Sequence, residues 1–232
     1  MIESKQNKQF KLWMKLKTKK YRDLNDMFLV YGKHFIEQAK EKNVLIDVIT
    51  SNPNKEGILI SKDLMKDLQV TQTFIDEIGL CKKYNKVLVS NRVLLLDDVQ
   101  DPDNVGALIR SASAFGFDHI ILSNHSADIY NEKTIRASKG AFFDCYIERK
   151  PLHHAIYDLK DNGYKVIAAD AHASGNVDIK EEKVALVLGN EGHGLNENTK
   201  ALVDGFVTIE TKHVESLNVS VAGAIIMYTW RI

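Results

Sequence analysis

Six short runs that are apolar on both faces constrain this chain more than any other feature: VLLLD (93–97), HIILS (119–123), CYIE (145–148), YKVIAAD (164–170), VALVLG (184–189) and FVTIE (206–210), with helical stretches between most of them. A strand apolar on both faces must be covered on both, and runs of this kind separated by helices build a parallel sheet with helices above and below. The fold class read from this is α/β. In such sheets ligands bind beyond the carboxyl ends of the strands, so the residues of interest are those in the loops that follow each run.

The first third carries a weaker rhythm of the same sort. FLVYG (28–32) and VLIDVIT (44–50) read as strands around a helical KHFIEQAKEKN (33–43); the turn-rich SNPNKEG (51–57) follows, and two short polar helices are expected at 61–68 and 71–78. KKYN (82–85) reads as the join to the second unit, which puts a boundary near Tyr84. At 232 residues, 44% hydrophobic and 27% charged with 3 Pro, the chain is long enough for one and a half ordinary domains and is neither a fibre nor wholly disordered. The division expected is an arm at 1–22, a small domain at 23–84 and a larger one at 85–232.

Charge is distributed unevenly. The formal charge of 0 hides eight basic residues against Glu3 alone in residues 1–22, a net of +7 there and −7 over the rest. Lysines interleaved with Phe10, Trp13 and Tyr21 suit the phosphates and bases of nucleic acid. The same pattern suits an amphipathic helix that packs its Trp13 edge on the body, and the segment alone leaves both readings open. Cys81 and Cys145, 64 positions apart, make neither a disulfide framework nor a Cys-x-x-Cys knuckle. The first 22 residues are too basic for a secretory h-region, and no stretch approaches the ~18 apolar residues of a membrane span, so a cytoplasmic protein with no membrane partner is expected.

Three constellations follow strands. In DDVQDPDNVGALIRSASAFG a helix is expected from about Asn104, with Val105, Leu108, Ile109, Ala112 and Phe115 as its core face and Gly116 as its stop. Gly106, Arg110 and Ser113 lie on the opposite stripe, which places the Arg110 guanidinium over Gly106 as an anion seat. Asn104 as a plain helix cap and Arg110 paired to Asp101 or Asp103 is the competing reading. Asp97, Asp98, Asp101 and Asp103 lack the ligand order of a calcium loop and read as a solvated turn. In VALVLGNEGHGLNEN, Gly189, Gly192 and Gly194 let backbone approach a ligand, without the Lys-Ser/Thr of a phosphate loop; Glu191 between them is a turn charge or a functional group, and His193 reads as exposed. In HVESLNVSVAGAIIMYTW, Ser216 and Asn218 open a helix apolar almost all round, which demands burial in the core or at a subunit interface. Ser216 lacks a nucleophile elbow, and the eight histidines lack zinc spacing.

The order NVGALIR, GNEGHGL, SLNVSVA resembles the three motifs of the SpoU (TrmH-like) RNA ribose 2′-O-methyltransferases of the SPOUT superfamily, over about residues 92–232. FLVYGKHFIEQA with the following VITS resembles the small α/β ribosomal-protein-like substrate-binding domain that many members carry in front. The resemblance implies a parallel-sheet domain with a C-terminal trefoil knot, against the general rule of unknotted chains. It further implies a homodimer through the knot region, S-adenosyl-L-methionine as methyl donor, RNA as partner and no metal. It places Asn104 and Arg110, Glu191, and Ser216 with Asn218 in the catalytic motifs, and Gly189, Asn190, Gly192, Ile209 and Leu217 at the cofactor. One departure stands out: where the family usually has a Pro-Met-x-Gly stretch, this chain reads IETKHVE, one residue shorter. Ribosomal RNA of the 23S type is favoured as substrate because the front domain resembles a ribosomal protein. The alternatives are the same reaction on tRNA and a non-catalytic RNA-binding protein of the same fold.

Overall fold

The computed structural model describes residues 1–70, 73–84, 87–173, 179 and 181–231. They form two compact units, one comprising Met1–Tyr84 with Tyr130–Arg136, the other Asn85–Ile129 with Ala137–Ile232.

The first unit opens with α1 (Lys8–Lys15) and α2 (Lys19–Asn25) and continues β1 (Met27–Tyr31), α3 (Lys33–Glu41), β2 (Leu45–Thr50), β3 (Ile58–Leu59), α4 (Lys62–Leu68) and β4 (Glu77–Lys82). The sheet order is β1-β4-β2-β3, with β4 antiparallel to both neighbours in the sheet's interior. Here the expectation of a helix at 71–78 fails: positions 71 and 72 lie outside the described residues, and Glu77 and Ile78 begin a strand. The run IGLC is buried on both sides, and Gly79 is there because a Cβ would lie 2.7 Å from Val30 and 3.1 Å from Ile36 of α3. Alternation turns Ile78 and Leu80 to the other face, where they join Phe10, Trp13, Leu16, Leu64, Met65 and Leu68 in one core.

Residues 1–22 are therefore built into this unit rather than hanging from it. Phe10, Trp13 and Leu16 are all but fully buried, and three such side chains contribute about 5–8 kcal/mol as an upper bound. Arg22 is buried too and donates to the Leu16 carbonyl at 2.9 Å. Of the two readings of the basic segment, the packed amphipathic helix describes its apolar side.

The second unit contains β5 (Arg92–Leu96), α5 (Pro102–Ala114), β6 (His119–Leu122), α6 (Glu132–Ser138, shared with the first unit), β7 (Tyr146–Arg149), α7 (Leu152–Asp161), β8 (Lys165–Ala169), β9 (Val184–Leu188), α8 (Glu197–Lys200), β10 (Gly205–Val207) and α9 (Val219–Thr229). Its six strands are all parallel in the order β10-β8-β9-β5-β6-β7. The two middle strands, β9 and β5, are buried at every residue, as their two-faced apolar runs require. One face packs under Leu152, Ala155, Ile156 and Leu159 of α7. On the other, α5 and α9 meet at Gly223, where a Cβ would come within 2.5 Å of Leu108 and 2.6 Å of Leu188. The chain runs outward through β5, β6 and β7, then returns on the other side of β5, so its order reverses there. Crevices form at such a reversal.

α9 differs from expectation on one side. Gly223, Ile226, Met227 and Trp230 are buried, but Val221, Ile225 and Tyr228 are 42–53% exposed. A single copy leaves an apolar face uncovered, so the all-round apolar pattern is not satisfied within one chain. The end of α9 is held by the buried Arg92, whose Nε donates to the Trp230 carbonyl at 2.9 Å while Nη1 reaches the Glu182 carbonyl. Arg92→Met would strand both acceptors without a donor. The expected loss is about 2–4 kcal/mol, read as a fall of roughly 5–12 °C in the midpoint of thermal unfolding.

Candidate active site

The site grows from two turns at the carboxyl ends of β5 and β9. After β5, Asp97 is buried rather than solvated: its carboxylate accepts from the Asn196 amide at 2.9 Å, and its own amide donates to the Leu188 carbonyl at 2.8 Å. Asp98 takes a left-handed conformation, φ 57°, and its amide donates to Ser123 Oγ at 2.9 Å. Of the four acids expected to form a solvated turn, Asp101 and Asp103 are exposed, whereas Asp97 and Asp98 form a structural clasp, because the strand ends need their backbone groups satisfied. Asp101 is the helix cap, accepting from the Asp103 amide at 2.7 Å, and α5 begins at Pro102. The helix start expected at Asn104 lies two residues earlier, which frees the Asn104 side chain.

After β9 the chain closes a tight loop in which Asn190 and Gly194 exchange backbone hydrogen bonds of 2.9 and 3.0 Å. Asn190 Oδ1 accepts from the amides of Gly192 and His193 at 2.8 and 3.1 Å, and its Nδ2 donates to the Asp98 carbonyl at 2.8 Å. Both ends of this side chain are spent holding the loop. Gly189 crosses beneath it so closely that a Cβ would lie 2.5 Å from Gly194 C. The loop projects Glu191 into the open, where Oε1 accepts from Asn104 Nδ2 at 3.0 Å. Asn104 Oδ1 in turn accepts from Asn218 Nδ2 at 3.0 Å, and Asn218 Oδ1 caps α9 by accepting from the Ser220 amide at 2.8 Å. An amide relay therefore runs from the N-terminus of a helix to a carboxylate, joining residues 114 and 87 positions apart in sequence.

Beside this relay lies a cavity of about 550 Å³, within the usual range for small-molecule sites of roughly 300–1,000 Å³. Gly189, Asn190, Gly192, Ile209 and Leu217 all line it, as do Glu191, Ser216 and Asn218. Its apolar wall is Leu188, Val207, Val219, Ala222 and Ile226. Ile209 was read as strand but follows β10 as a wall residue, and Ser216 is exposed ahead of a helix that Asn218 caps. The altered 209–215 segment contains a turn closed by Thr211 Oγ1 donating to the Val214 carbonyl at 2.6 Å. It brings Glu215 to 3.8 Å from His172 at the cavity rim. His172, Asp170, Lys200 and Glu215 were not singled out from the sequence; the first two follow directly on β8, the position at which a parallel sheet places ligand contacts. Among the described residues no group of three or more His, Cys, Asp or Glu could hold a metal, and no helix is long and apolar enough to cross a membrane.

Arg110 stands apart. It is exposed, has no ion pair or hydrogen bond among the described residues, and does not line the cavity. Six residues beyond Asn104 on α5, it lies ~9 Å further along the axis and is turned about 120° away. Gly106 is buried, so the anion seat read above it is not open in a single chain. Arg110 does not pair with Asp101 or Asp103 either.

The model of the SpoU rRNA Methylase family matches residues 91–228, the stretch that holds every residue of the relay. The chain belongs to the SpoU rRNA methylase family. Its front unit matches a second model, an MRM3-like substrate binding domain, over residues 7–81. The 23S rRNA (guanosine(2553)-2′-O)-methyltransferase RlmP of Bacillus subtilis is 34% identical over 99% of this chain and 98% of its own length. Among solved folds, the SpoU methyltransferase AviRb of Streptomyces viridochromogenes in complex with AdoMet aligns with a TM-score of 0.84 at 23% identity, covering 96% of each chain. The AdoMet-bound rRNA methyltransferase of Sinorhizobium meliloti aligns at 0.86 and 23%, covering 98% of this chain and 95% of its own. For this SpoU member the relay thus falls on the family's matched segment, and the fold likeness extends over both units.

Proposed function

We propose that this protein is an S-adenosyl-L-methionine-dependent RNA methyltransferase that modifies a ribose 2′-hydroxyl in ribosomal RNA of the 23S type. The observation that carries the reading is the Glu191–Asn104–Asn218 relay at the edge of the cavity. Three distant segments converge there on one carboxylate beside a space of cofactor size. The residues suit the cofactor: an apolar wall for a flat ring, and a loop kept thin by Gly189, which only a residue without a side chain allows. Gly189, Ile209 and Leu217 would hold it, with Asn190 acting on the loop rather than on the ligand.

Bound there, the cofactor supplies an electrophilic methyl on a sulfonium sulfur. The protein's task is then to align a ribose oxygen and dispose of its proton. Asn104 and Asn218 fix the Glu191 carboxylate, which orients the ribose. Arg110 grips a neighbouring phosphate through its fork of donors. A guanidinium keeps its proton, so the 2′-hydroxyl proton passes to a phosphate oxygen or water.

The site is completed by a second copy of the chain, docked through the uncovered Val221, Ile225 and Tyr228 face of the C-terminal region, where the chain forms its trefoil knot. That pairing gives the exposed apolar stripe a cover and brings Arg110 to a cavity. Ile225→Asp is expected to yield a folded monomer by light scattering, with turnover reduced at least ~100-fold; a dimer of unchanged activity would count against the pairing. In bacteria such an enzyme works in the cytoplasm, where ribosomal RNA is made.

The deciding experiment supplies labelled cofactor with 23S rRNA and with tRNA from cells lacking this protein. Label in 23S rRNA, at a linkage that becomes resistant to alkaline hydrolysis, is the expected result. Label confined to tRNA would move the substrate, and none in either would leave a non-catalytic RNA-binding protein.

A further inference from the structure

Residues 4–22 contain eight basic side chains and not one acid. The fold explains four of them. Lys5 pairs with Asp67 at 2.5 Å, Lys17 donates to the Asp67 carbonyl at 2.5 Å, Lys19 pairs with Asp23 at 2.6 Å, and the buried Arg22 serves the Leu16 carbonyl. Lys8, Lys11, Lys15 and Lys20 are exposed and have no carboxylate partner among the described residues. Three of these lie at i, i+3 and i+7 of α1, hence along one face, opposite the buried Phe10 and Trp13. The ring of Tyr21, half-buried, has Lys15 Nζ at 5.2 Å and Lys20 Nζ at 5.9 Å from its centre.

We propose that this face, Lys8, Lys11, Lys15 and Lys20 with the Tyr21 ring, is a contact surface for an RNA strand, separate from the cavity. The proposal rests on the reading of the protein as an RNA enzyme. Like charges three and four apart on a helix repel by ~0.2–0.5 kcal/mol per pair, and α1 has no acid to relieve them. A face that serves only solubility gains from mixed charge, whereas a face that binds phosphates gains from one sign. Lys8 to Lys15 spans ~10 Å, about three nucleotides of a strand rising ~3.4 Å each. An aromatic ring at the end of a row of cations offers a face on which a base stacks. The whole-molecule charge agrees: the first unit has 18 basic against 12 acidic residues, the second 13 against 19, so these four cations supply most of a net +6 opposed by −6.

The test uses the full chain with Lys8, Lys11 and Lys15 all changed to Gln, the same three changed to Arg, and Tyr21→Ala. Affinity for unmodified 23S rRNA is measured against salt, alongside KM, kcat and cofactor affinity by calorimetry. The triple Gln variant is expected to lower the slope of log affinity against log salt by about 2, from ~0.7 per strand phosphate. It should raise KM for RNA at least tenfold and leave kcat and cofactor binding unchanged. The Arg variant should restore the slope, and Tyr21→Ala should weaken binding without altering it. An unchanged slope and KM in the Gln variant, or failure of Arg to restore them, overturns the proposal. So does lysine-dependent binding to anionic phosphatidylserine vesicles with RNA affinity intact. If the wild-type chain binds rRNA but never methylates it, the enzymatic reading fails while the slope still decides the surface.

Discussion

Gly189→Ala is expected to weaken binding of S-adenosylmethionine at least ~100-fold and to lower the unfolding midpoint by roughly 3–10 °C. The added methyl carbon would lie 2.5 Å from Gly194 C, 2.6 Å from Leu195 N and 2.7 Å from Gly194 O. All three are backbone atoms, so no side-chain rotation relieves the overlap. The loop can recede only by parting the Asn190–Gly194 pair, and with it the Asn190 bonds to Gly192, His193 and Asp98. Glu191 rides on that loop and Leu195 packs in the core beneath α7, so cavity, carboxylate and core move together. Gly192→Ala is the internal control. Its methyl would meet only Asn190 Oδ1 at 3.5 Å, an ordinary contact, so the loop keeps its fold and the unfolding midpoint should stay within about 2 °C. Calorimetric titration of Gly189→Ala beside the unaltered chain decides the matter: equal affinities would mean that thinness at position 189 is not what shapes the cavity.

The same loop shows what could be read in the sequence and what could not. The apolar runs located five of the six parallel strands to within one residue at each end, while the sixth, FVTIE, overran β10 by three residues, because β10 is only partly buried and its run of apolar residues continues as cavity wall. Glu191 was conspicuous as a carboxylate set between glycines. Its partner was not, since a link between Asn104 and Glu191 depends on β9 lying next to β5, and strand order is not written in local periodicity. Asn190 shows the same gap from the other side: it lines the cavity, yet both ends of its amide are bound to backbone, one of them 92 residues away. The strand at 77–82 was missed for a different reason. Its interior position in the first sheet buries Ile78 to Cys81 without alternation, and Gly79 interrupts the apolar run, so neither a period of two nor one of 3.6 was visible. For α1, the sequence left two readings open because a helix has two sides: Phe10 and Trp13 turned inward, and the unpaired lysines turned out.

Arg110→Ala is expected to reduce turnover by about 10²–10³-fold or more, the scale of losing one preorganised cationic or hydrogen-bonding contact at a reacting centre, while cofactor affinity stays within about twofold. The geometry sets this asymmetry. Arg110 neither lines the cavity nor touches the Glu191–Asn104–Asn218 relay, so its removal leaves the cofactor's own walls as they are. It is also exposed and unpaired among the described residues, so no fold contact is lost and the unfolding midpoint should hold. Arg110→Lys keeps the charge but loses the planar fork, and should recover only a minor part of the rate. Asn104→Ala makes a contrasting case, because it cuts the relay at its middle and frees both Glu191 and the Asn218 amide. There kcat and cofactor affinity should fall together. Single-turnover rates with saturating cofactor, set beside calorimetry, separate the two signatures. If Arg110→Ala abolished cofactor binding along with turnover, the guanidinium would have to sit at the cofactor rather than at the RNA phosphate, and the division of labour between α5 and the glycine loop would have to be redrawn.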